Sequence, residues 1–290
     1  YIAVTGVQTC ALPICPDAST SSEDRQWLEA ARRCDLLCLV VRAFASDQVY
    51  HPAGSVAADR DLEALNAELL LADMALVDTR LARIAKDNRS RKAGEMALEE
   101  TVLTRCMQVL EEGERLADAG LEPHELKSVA GLGLITLLPQ LSVFNVGEAD
   151  VADGPDRNGL AVSALIEEEI MAIEDADERN EYLASLGLVA SGVDRVNAAA
   201  YDALGLMSFY TVGEDEVRAW TIRKGAGAPE AGGKIHSDIQ RGFIRVEVIK
   251  YDDLVAAGSE KAARDAGRMQ TRGRDYAMED GDICHFLFNV

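Results

Sequence analysis

The stretch "DLLCLVVRAF" (Asp35–Phe44) is a continuous apolar run of strand length, and it restricts the available folds more than any other segment. A strand with one wet face alternates apolar and polar residues. A run that is apolar throughout predicts burial on both faces, the situation of a strand inside a parallel sheet. Parallel strands cannot be joined by a tight turn, so a long crossover has to follow. Far downstream, "LITLLPQLSVFNVGE" (Leu134–Glu148) and "GLAVSALIEEEI" (Gly159–Ile170) resume the strand pattern.

Between these strands the period changes. Leu62, Leu65, Leu69, Ala72 and Leu76 recur at three- and four-residue steps from Asp59 to Asp87, and Val77, Leu81 and Ile84 extend the stripe. That predicts one long helix. "NRSRKAG" (Asn88–Gly94) interrupts it. A second helix is expected from about Glu95 to Ala119, with Leu103, Cys106 or Met107, and Leu110 inward and Gly120 as its stop. The simplest topology is an antiparallel, coiled-coil-like helical hairpin over residues 59–130, inserted between strands of one sheet. Its bland role is packing and its sharper one is docking a partner. "EDRQWLEAARR" (Glu23–Arg33) predicts a short helix, and Ala184–Leu204 another helical stretch. From Met207 the pattern is a small α+β module: "EVRAWTIRK", "FIRVEVIKYDDL" and "CHFLFNV" as short strands, with a helix at Ser259–Met269.

Charge separates the regions. The chain carries 50 acidic and 29 basic residues, a net −21, but residues 206–290 hold 14 acidic against 12 basic. A strongly negative surface repels nucleic acid on average, so any contact with RNA needs a local patch, and the near-neutral C-terminal part is where to seek it. Six cysteines occur without a C-x-x-C pair, which excludes a disulfide framework or zinc knuckle and predicts buried thiols. Cys34 and Cys38 stand four apart without companion ligands. No apolar run approaches the ~20 residues of a membrane span. The expectation is a reduced, soluble, cytoplasmic, monomeric protein with no membrane or DNA partner.

The opening residues have a separate origin. "VTGVQTCALPI" (Val4–Ile14) is the conceptual translation of a common sequencing-library adapter, and residues 1–15 are accordingly left out of fold reasoning. The expectation that follows is a gene truncated at its 5′ side.

Chemistry concentrates at the strand ends. Asn145-x-x-Glu148 occupies the place where guanine-reading folds carry Asn-Lys-x-Asp. There the Asp accepts from the base N1–H and 2-amino groups. Adenine lacks both donors, and a carboxylate held against its N1 loses on the order of 1–3 kcal/mol. Glu148 is one methylene longer and Val146 replaces the Lys, so the corner argues against strict guanine selection and permits adenine. Ser163-Ala164 at the next strand end is a small turn whose N–H groups can approach a base. The order strand–NxxE, strand–Ser-Ala–acidic helix is that of a GTPase-like sheet. A phosphate loop needs G-x-x-x-x-G-K-[ST]. The nearest segment, "APEAGGKI" (Ala228–Ile235), has Ala at its first position and Ile after the Lys, and reads instead as a turn between strands. His51, His124, His236 and His285 are scattered, and no catalytic or metal-binding constellation emerges.

"CDLLCLVVRAF", "ELLLADMALVDTRLARIAK", "FNVGE" and above all the tail, "MSFYTVGEDEVRAWTIRKGAGAPEAGGKIHSDIQRGFIRVEVIKYDDL" with "GRDYAMEDGDICHFLFNV", resemble the Obg-like ATPase (YchF) family over roughly residues 34–290. The resemblance implies an α/β architecture: a partial P-loop GTPase-like (TRAFAC) G domain (16–58 and 131–205) interrupted by the hairpin, then a β-grasp, ubiquitin-like TGS domain (206–290). It implies ATP, or GTP, and Mg²⁺ as cofactors, with Asn145, Val146 and Glu148 matching the family's Asn-x-x-Glu corner and Ser163 and Ala164 its small-residue loop. The family's phosphate loop, Mg²⁺-binding Thr and Asp-x-x-Gly segment lie upstream of the matched region. "PDASTSSEDRQWLEAARR" does not resemble its glycine-rich switch, and "HPAGSVAADRD" (His51–Asp61) lacks a proline common there. The implied parent is a ribosome-associated ATPase, and the chain as written is expected to be inactive. The alternative is a non-catalytic module that binds ribosome or RNA through the tail and hairpin. Arg218, Arg223, Lys224, Lys234, Arg241 and Arg245 are the basic side chains expected to touch RNA.

Overall fold

The structure is a computed structural model that describes residues 26–88, 97–152, 159–213 and 216–289. The adapter-like residues 1–15 and the turn from residue 89 lie outside the described residues. These fall into two compact units, divided between Ala200 and Tyr201.

In the first unit, β1 (Leu37–Arg42), β2 (Gln140–Asn145) and β3 (Leu160–Val162) form a parallel sheet in the order β1-β2-β3. The parallel arrangement follows the apolar runs, but burial on both faces does not. Leu37, Leu39 and Val41 are buried, whereas Cys38 is exposed and Val40 is 64% exposed. Among the described strands β1 lies at one edge of the sheet, and the described residues cover only its odd-numbered face, with Ala31, Leu69 and Ile135 over Leu37 and Leu39. Cys38 therefore departs from the expected set of buried thiols. Cys106 and Cys284 are buried, Cys34 is half-buried, and Cys10 and Cys15 lie outside the described residues.

A short α1 (Gln26–Ala31) precedes the sheet, and two helices leave it: α2 (Ala58–Asn88) and α3 (Ala97–Glu111). Val77, Ile84, Val102, Leu103, Cys106 and Leu110 form their shared core. Arg80 grips Glu99 with two hydrogen bonds, of 2.6 and 2.8 Å. α3 ends at Glu111, well short of Ala119. Gly113 takes φ +82°, a left-handed conformation that stops a helix, and Leu116–Asp118 forms only a 3₁₀ turn. Ile135–Leu137 is likewise a 3₁₀ turn, so the strand expected from Leu134 begins at Gln140.

Asp73 is the unexpected member of the α2 stripe. It is fully buried. Oδ1 accepts from Arg32 (3.0 Å) and the Ile135 N–H (3.1 Å), and Oδ2 accepts from the Thr136 N–H and hydroxyl, both at 2.8 Å. Arg32 also donates to the Gly133 carbonyl at 2.7 Å. One carboxylate thus joins α2, the end of α1 and the segment leading into β2.

After α4 (Pro123–Val129), β2 and β3, the unit closes with α5 (Ala164–Ala172), α6 (Ala176–Ser185) and α7 (Gly192–Ala203). The single helical stretch expected from Ala184 to Leu204 is broken at Gly187, φ +72°.

The second unit is a five-stranded mixed sheet, order β5-β4-β8-β6-β7, with β4 (Leu206–Val212), β5 (Val217–Arg223), β6 (Phe243–Ile249), β7 (Gln270–Arg272) and β8 (Ile283–Phe288). β4 and β8 are parallel and the other pairs antiparallel. Three segments differ from the sequence reading. "APEAGGKI" is helix α8 (Ala228–Ile235), not a turn: Gly227 caps it and Pro229 sits in its first turn, where a missing N–H costs nothing. "YDDL" belongs to α10 (Tyr251–Ala257), so the strand ends at Ile249, and the helix expected at Ser259–Met269 shrinks to α11 (Glu260–Asp265); α9 (Ser237–Arg241) leads into β6. Met207, Phe209, Ile222, Val246, Val248 and Phe286 form the core, with Phe209 edge-on to Phe286 at 5.8 Å.

Behind this core Asp282 is fully buried, accepting from Lys250, from the Tyr276 hydroxyl (2.9 Å) and from the Glu279 N–H (2.9 Å). Burial alone would lower the Lys250 pKa, but Asp282, Glu279 and Tyr276 together raise it. Tyr276 is raised too, first by burial. Both groups have folded pKa values above their unfolded ones, near 10. The stability they supply is present below that pH and is lost as pH rises through the folded values. Amide-exchange protection of β6 and β8 is expected to hold from neutrality to about pH 9 and to fall above about pH 10. In Lys250→Met the neutral protection should already be lower and the alkaline decline shallower. An unchanged alkaline profile in that variant would contradict the assignment.

Candidate nucleotide-base site

The C-terminal ends of the three parallel strands meet at Asn145. Its carbonyl accepts from the Ala43 N–H at 2.7 Å, beyond the end of β1, and the next N–H, of Val146, donates to the Val162 carbonyl at 2.9 Å, at the end of β3. Its side-chain Oδ1 accepts from the Ala164 N–H at 3.1 Å. The structure therefore brings Asn145 and the Ser163-Ala164 turn together across nineteen positions of sequence. That bond occupies the N–H which the sequence reading offers to a base, leaving the Asn145 amide NH₂ as a donor at the corner.

Ser163 is buried and caps α5 with its backbone, without a side-chain cap bond. Val146 is buried among Val41, Phe144 and Ile166, so it serves the core beneath the corner more than its open surface. Glu148 opens a 3₁₀ turn, Glu148–Asp150, and is exposed. Leu165 is 52% exposed, directly after the turn, an apolar surface of the kind a base can cover.

The sequence reading did not single out four supports of this corner. Glu167 accepts from the Gly192 (2.6 Å) and Val193 (3.2 Å) N–H groups, capping α7 from α5. A Cβ on Gly192 would lie 2.6 Å from Val162, so only glycine allows this approach to β3. Ser191 and Asp194 complete the α7 start reciprocally, an S-x-x-D signal that was readable in advance. Tyr182 hydrogen-bonds to Glu169, and that bond, then burial and the Glu169 and Glu148 charges, raise the Tyr182 pKa.

The six basic residues of the tail do not gather on one surface. Arg218 and Arg223 are five apart on β5 and so face opposite sides of the sheet. Arg218 lies over the Trp220 ring at 4.3 Å. Lys224 is paired with Asp202 and Arg241 with Asp238. Lys234 ends α8, and Arg245 lies on the face of β6 shared with Leu287. Of the histidines, His51 contacts Asp61 at 3.1 Å and His236 accepts the Asp238 N–H as a helix cap, while His124 and His285 are exposed.

Comparison with known proteins now bears on this geometry. Residues 206–289 match the family model YchF-GTPase_C, described as a protein of unknown function (DUF933). The Ribosome-binding ATPase YchF of Bacillus subtilis is 38% identical over 280 residues, covering 91% of this chain and 76% of that protein. The chain belongs to the YchF family. The Escherichia coli O157:H7 relative of the same name is 36% identical over 277 residues, with the same coverage of both chains. The Schizosaccharomyces pombe YchF GTPase superposes with a TM-score of 0.75 at 31% identity, over 90% of this chain and 74% of that one. Family membership accounts for the GTPase-like parallel sheet and for the resemblance seen in the tail. Among the described residues no helix is long and apolar enough to cross a membrane.

Proposed function

We propose that the chain is part of an ATP-preferring, ribosome-associated nucleoside triphosphatase of the cytoplasm, and that Asn145, Glu148, Ser163 and Ala164 form its base-reading corner. The observation that carries this reading is the 3.1 Å bond from the Ala164 N–H to Asn145, which locks the two base-side loops at the carboxyl ends of parallel strands. The corner fits a purine base: it offers an amide donor, an exposed carboxylate and the apolar Leu165. Val146 braces it from below. The second unit is read as a TGS, β-grasp domain and α2–α3 as an inserted helical arm.

The fit does not extend to the phosphates. The 290 residues contain no G-x-x-x-x-G-K-[ST], and among the described residues no group of three or more His, Cys, Asp or Glu could hold a metal. Bound Mg²⁺ supplies charge neutralisation of the transferred phosphoryl group in such enzymes. No residue described here is assigned to that task. The second reading, a non-catalytic module that binds ribosome or RNA, rests on the lack of that motif in the 290 residues and predicts weak nucleotide binding without hydrolysis.

Saturation-transfer NMR of the chain with ATP and with GTP, beside a phosphate-release assay, tests both parts. Weak contact through the adenine protons, less through guanine, and no phosphate release are expected. In Asn145→Ala the adenine signal should weaken about three- to tenfold, the loss of one hydrogen bond of about 0.5–1.5 kcal/mol. Equal or stronger guanine contact would refute the base assignment, and sustained phosphate release would refute the inactivity.

A further inference from the structure

β7 is the outer strand of the second unit and pairs only with β6 among the described strands, with all three of its residues exposed. Even positions along it and its flanks read Arg268, Gln270, Arg272, Arg274, while Met269 turns to the cluster around Ile249 and Ile283. No acid interrupts residues 268–274, in a chain with net charge −21.

Two of these guanidiniums are held in place without being neutralised. Arg272 lies 5.3 Å from the Tyr276 ring centre and donates to Gln270. Arg274 lies 5.9 Å from the Phe243 ring centre and donates to the Phe243 carbonyl at 3.1 Å. Among the described residues neither has an acidic partner. Arg268 approaches Asp253 at 3.5 Å with its side chain 62% exposed, an exchangeable surface pair. A guanidinium carries five N–H donors in a planar fork suited to phosphate, so one fixing bond leaves the remainder available. Orientation in advance also reduces the side-chain entropy lost on binding.

Cations on an edge strand also discourage sheet-to-sheet association, and a lone edge arginine would signify no more than that. Here three arginines fall within seven residues with no acid among them. The exposed Arg272 guanidinium, seated on the half-buried Tyr276 ring, presents a plane on which an unpaired base can stack, which suits a single strand better than a featureless anionic surface.

We propose that Arg268, Arg272 and Arg274 form a phosphate-binding ledge for single-stranded RNA along the β7 edge. The inference rests on the RNA- and ribosome-binding reading above and relocates its contact: Arg272 and Arg274 were not among the six basic residues expected from sequence.

The test uses the whole chain, a fluorescein-labelled unstructured 20-nucleotide RNA read by anisotropy from about 50 to 200 mM salt, and cosedimentation with purified ribosomes. Removing three phosphate contacts from a single strand should flatten the slope of log K against log[salt] by about 2, and weaken binding about 100-fold at 0.1 M salt. Arg268→Gln/Arg272→Gln/Arg274→Gln is expected to show both changes and to lose ribosome cosedimentation. The triple Arg→Lys variant should keep the slope. Arg223→Gln/Arg245→Gln, on the opposite face of the sheet, should resemble the unaltered chain, and matched thermal melts report that all variants fold. An unchanged slope in the triple Gln variant overturns the ledge. If the loss appears instead in Arg223→Gln/Arg245→Gln, RNA binding stands and the ledge falls. If the unaltered chain binds RNA but not ribosomes, the ribosomal reading fails while the slope still judges the ledge; binding to neither sinks both.

Discussion

Asp73→Ala is expected to destabilise the first unit by about 3–5 kcal/mol, the cost of removing one partner of a buried ion pair. The carboxylate is fully buried and accepts four hydrogen bonds from three residues in two distant segments. Its loss strands the Ile135 and Thr136 N–H groups and the Arg32 guanidinium away from water. Native stability is only ~5–15 kcal/mol, so this one change takes a large share of it. Asp73→Asn should cost less, because Oδ1 can still accept from Arg32 and Ile135 while the new NH₂ faces the Thr136 N–H. Replacing both partners, Arg32→Met with Asp73→Leu, should cost less than the sum of the single changes, since no charge is then left unpaired. Urea unfolding midpoints of the whole chain measure this. An Asp73→Ala loss below about 1 kcal/mol, the scale of a surface pair, would remove Asp73 from its central role.

Asp73 also shows where sequence reading fails. Leu69 and Val77 sit four residues to either side of it, so the helical period already pointed position 73 inward. Apolar periodicity alone assigned the stripe to Ala72 and Leu76, because a carboxylate does not register as core unless its partners are known. Those partners, Arg32 and the 133–136 segment, are distant in sequence, and no local rule connects them. The base corner was more legible. Asn145 and the Ser163-Ala164 turn are each weak patterns, and strand order made them informative together; the 3.1 Å bond between them is the physical form of that pairing. Its supports, Glu167 on α5 and Tyr182 on α6, were hidden among acidic residues of the kind that usually face solvent. β1 was read as buried on both faces because its composition is uniformly apolar. Composition reports what a strand can tolerate, while cover depends on neighbouring elements. The tail's weakness lay in Gly and Pro: Gly-Gly in "APEAGGKI" suggested a turn, yet a Cβ on Gly232 would lie 2.7 Å from Ile239, so the glycine answers to close packing inside a helix.

A second glycine yields the other large effect. Gly242→Ala should destabilise the second unit by about 2–4 kcal/mol, combining overpacking of about 1–3 kcal/mol with loss of about one hydrogen bond. Its φ of −94° is open to any residue, so the penalty is steric. A Cβ there would lie 2.1 Å from the Asn289 carbonyl oxygen and 2.8 Å from its carbon, both backbone atoms that no rotamer change can move. Gly242 also accepts the Asn289 N–H at 2.9 Å, which pins the end of β8 beside the start of β6. Relief of the clash requires the end of β8 to swing away, breaking that bond and loosening the Phe243–Phe288 pair that follows. Phe243 packs edge-on to Phe286 at 6.3 Å, so the disturbance enters the core directly. Hydrogen exchange should reveal this as lost protection at Phe288 and Asn289 first, with the lower global midpoint following. Gly225→Ala supplies the contrast: φ is +82° but nothing stands within 4 Å of its Cβ, so only the backbone penalty, on the order of 1 kcal/mol, should appear. A Gly242→Ala effect no larger than that of Gly225→Ala would mean that the β8 terminus yields freely and that its pairing contributes little to the unit.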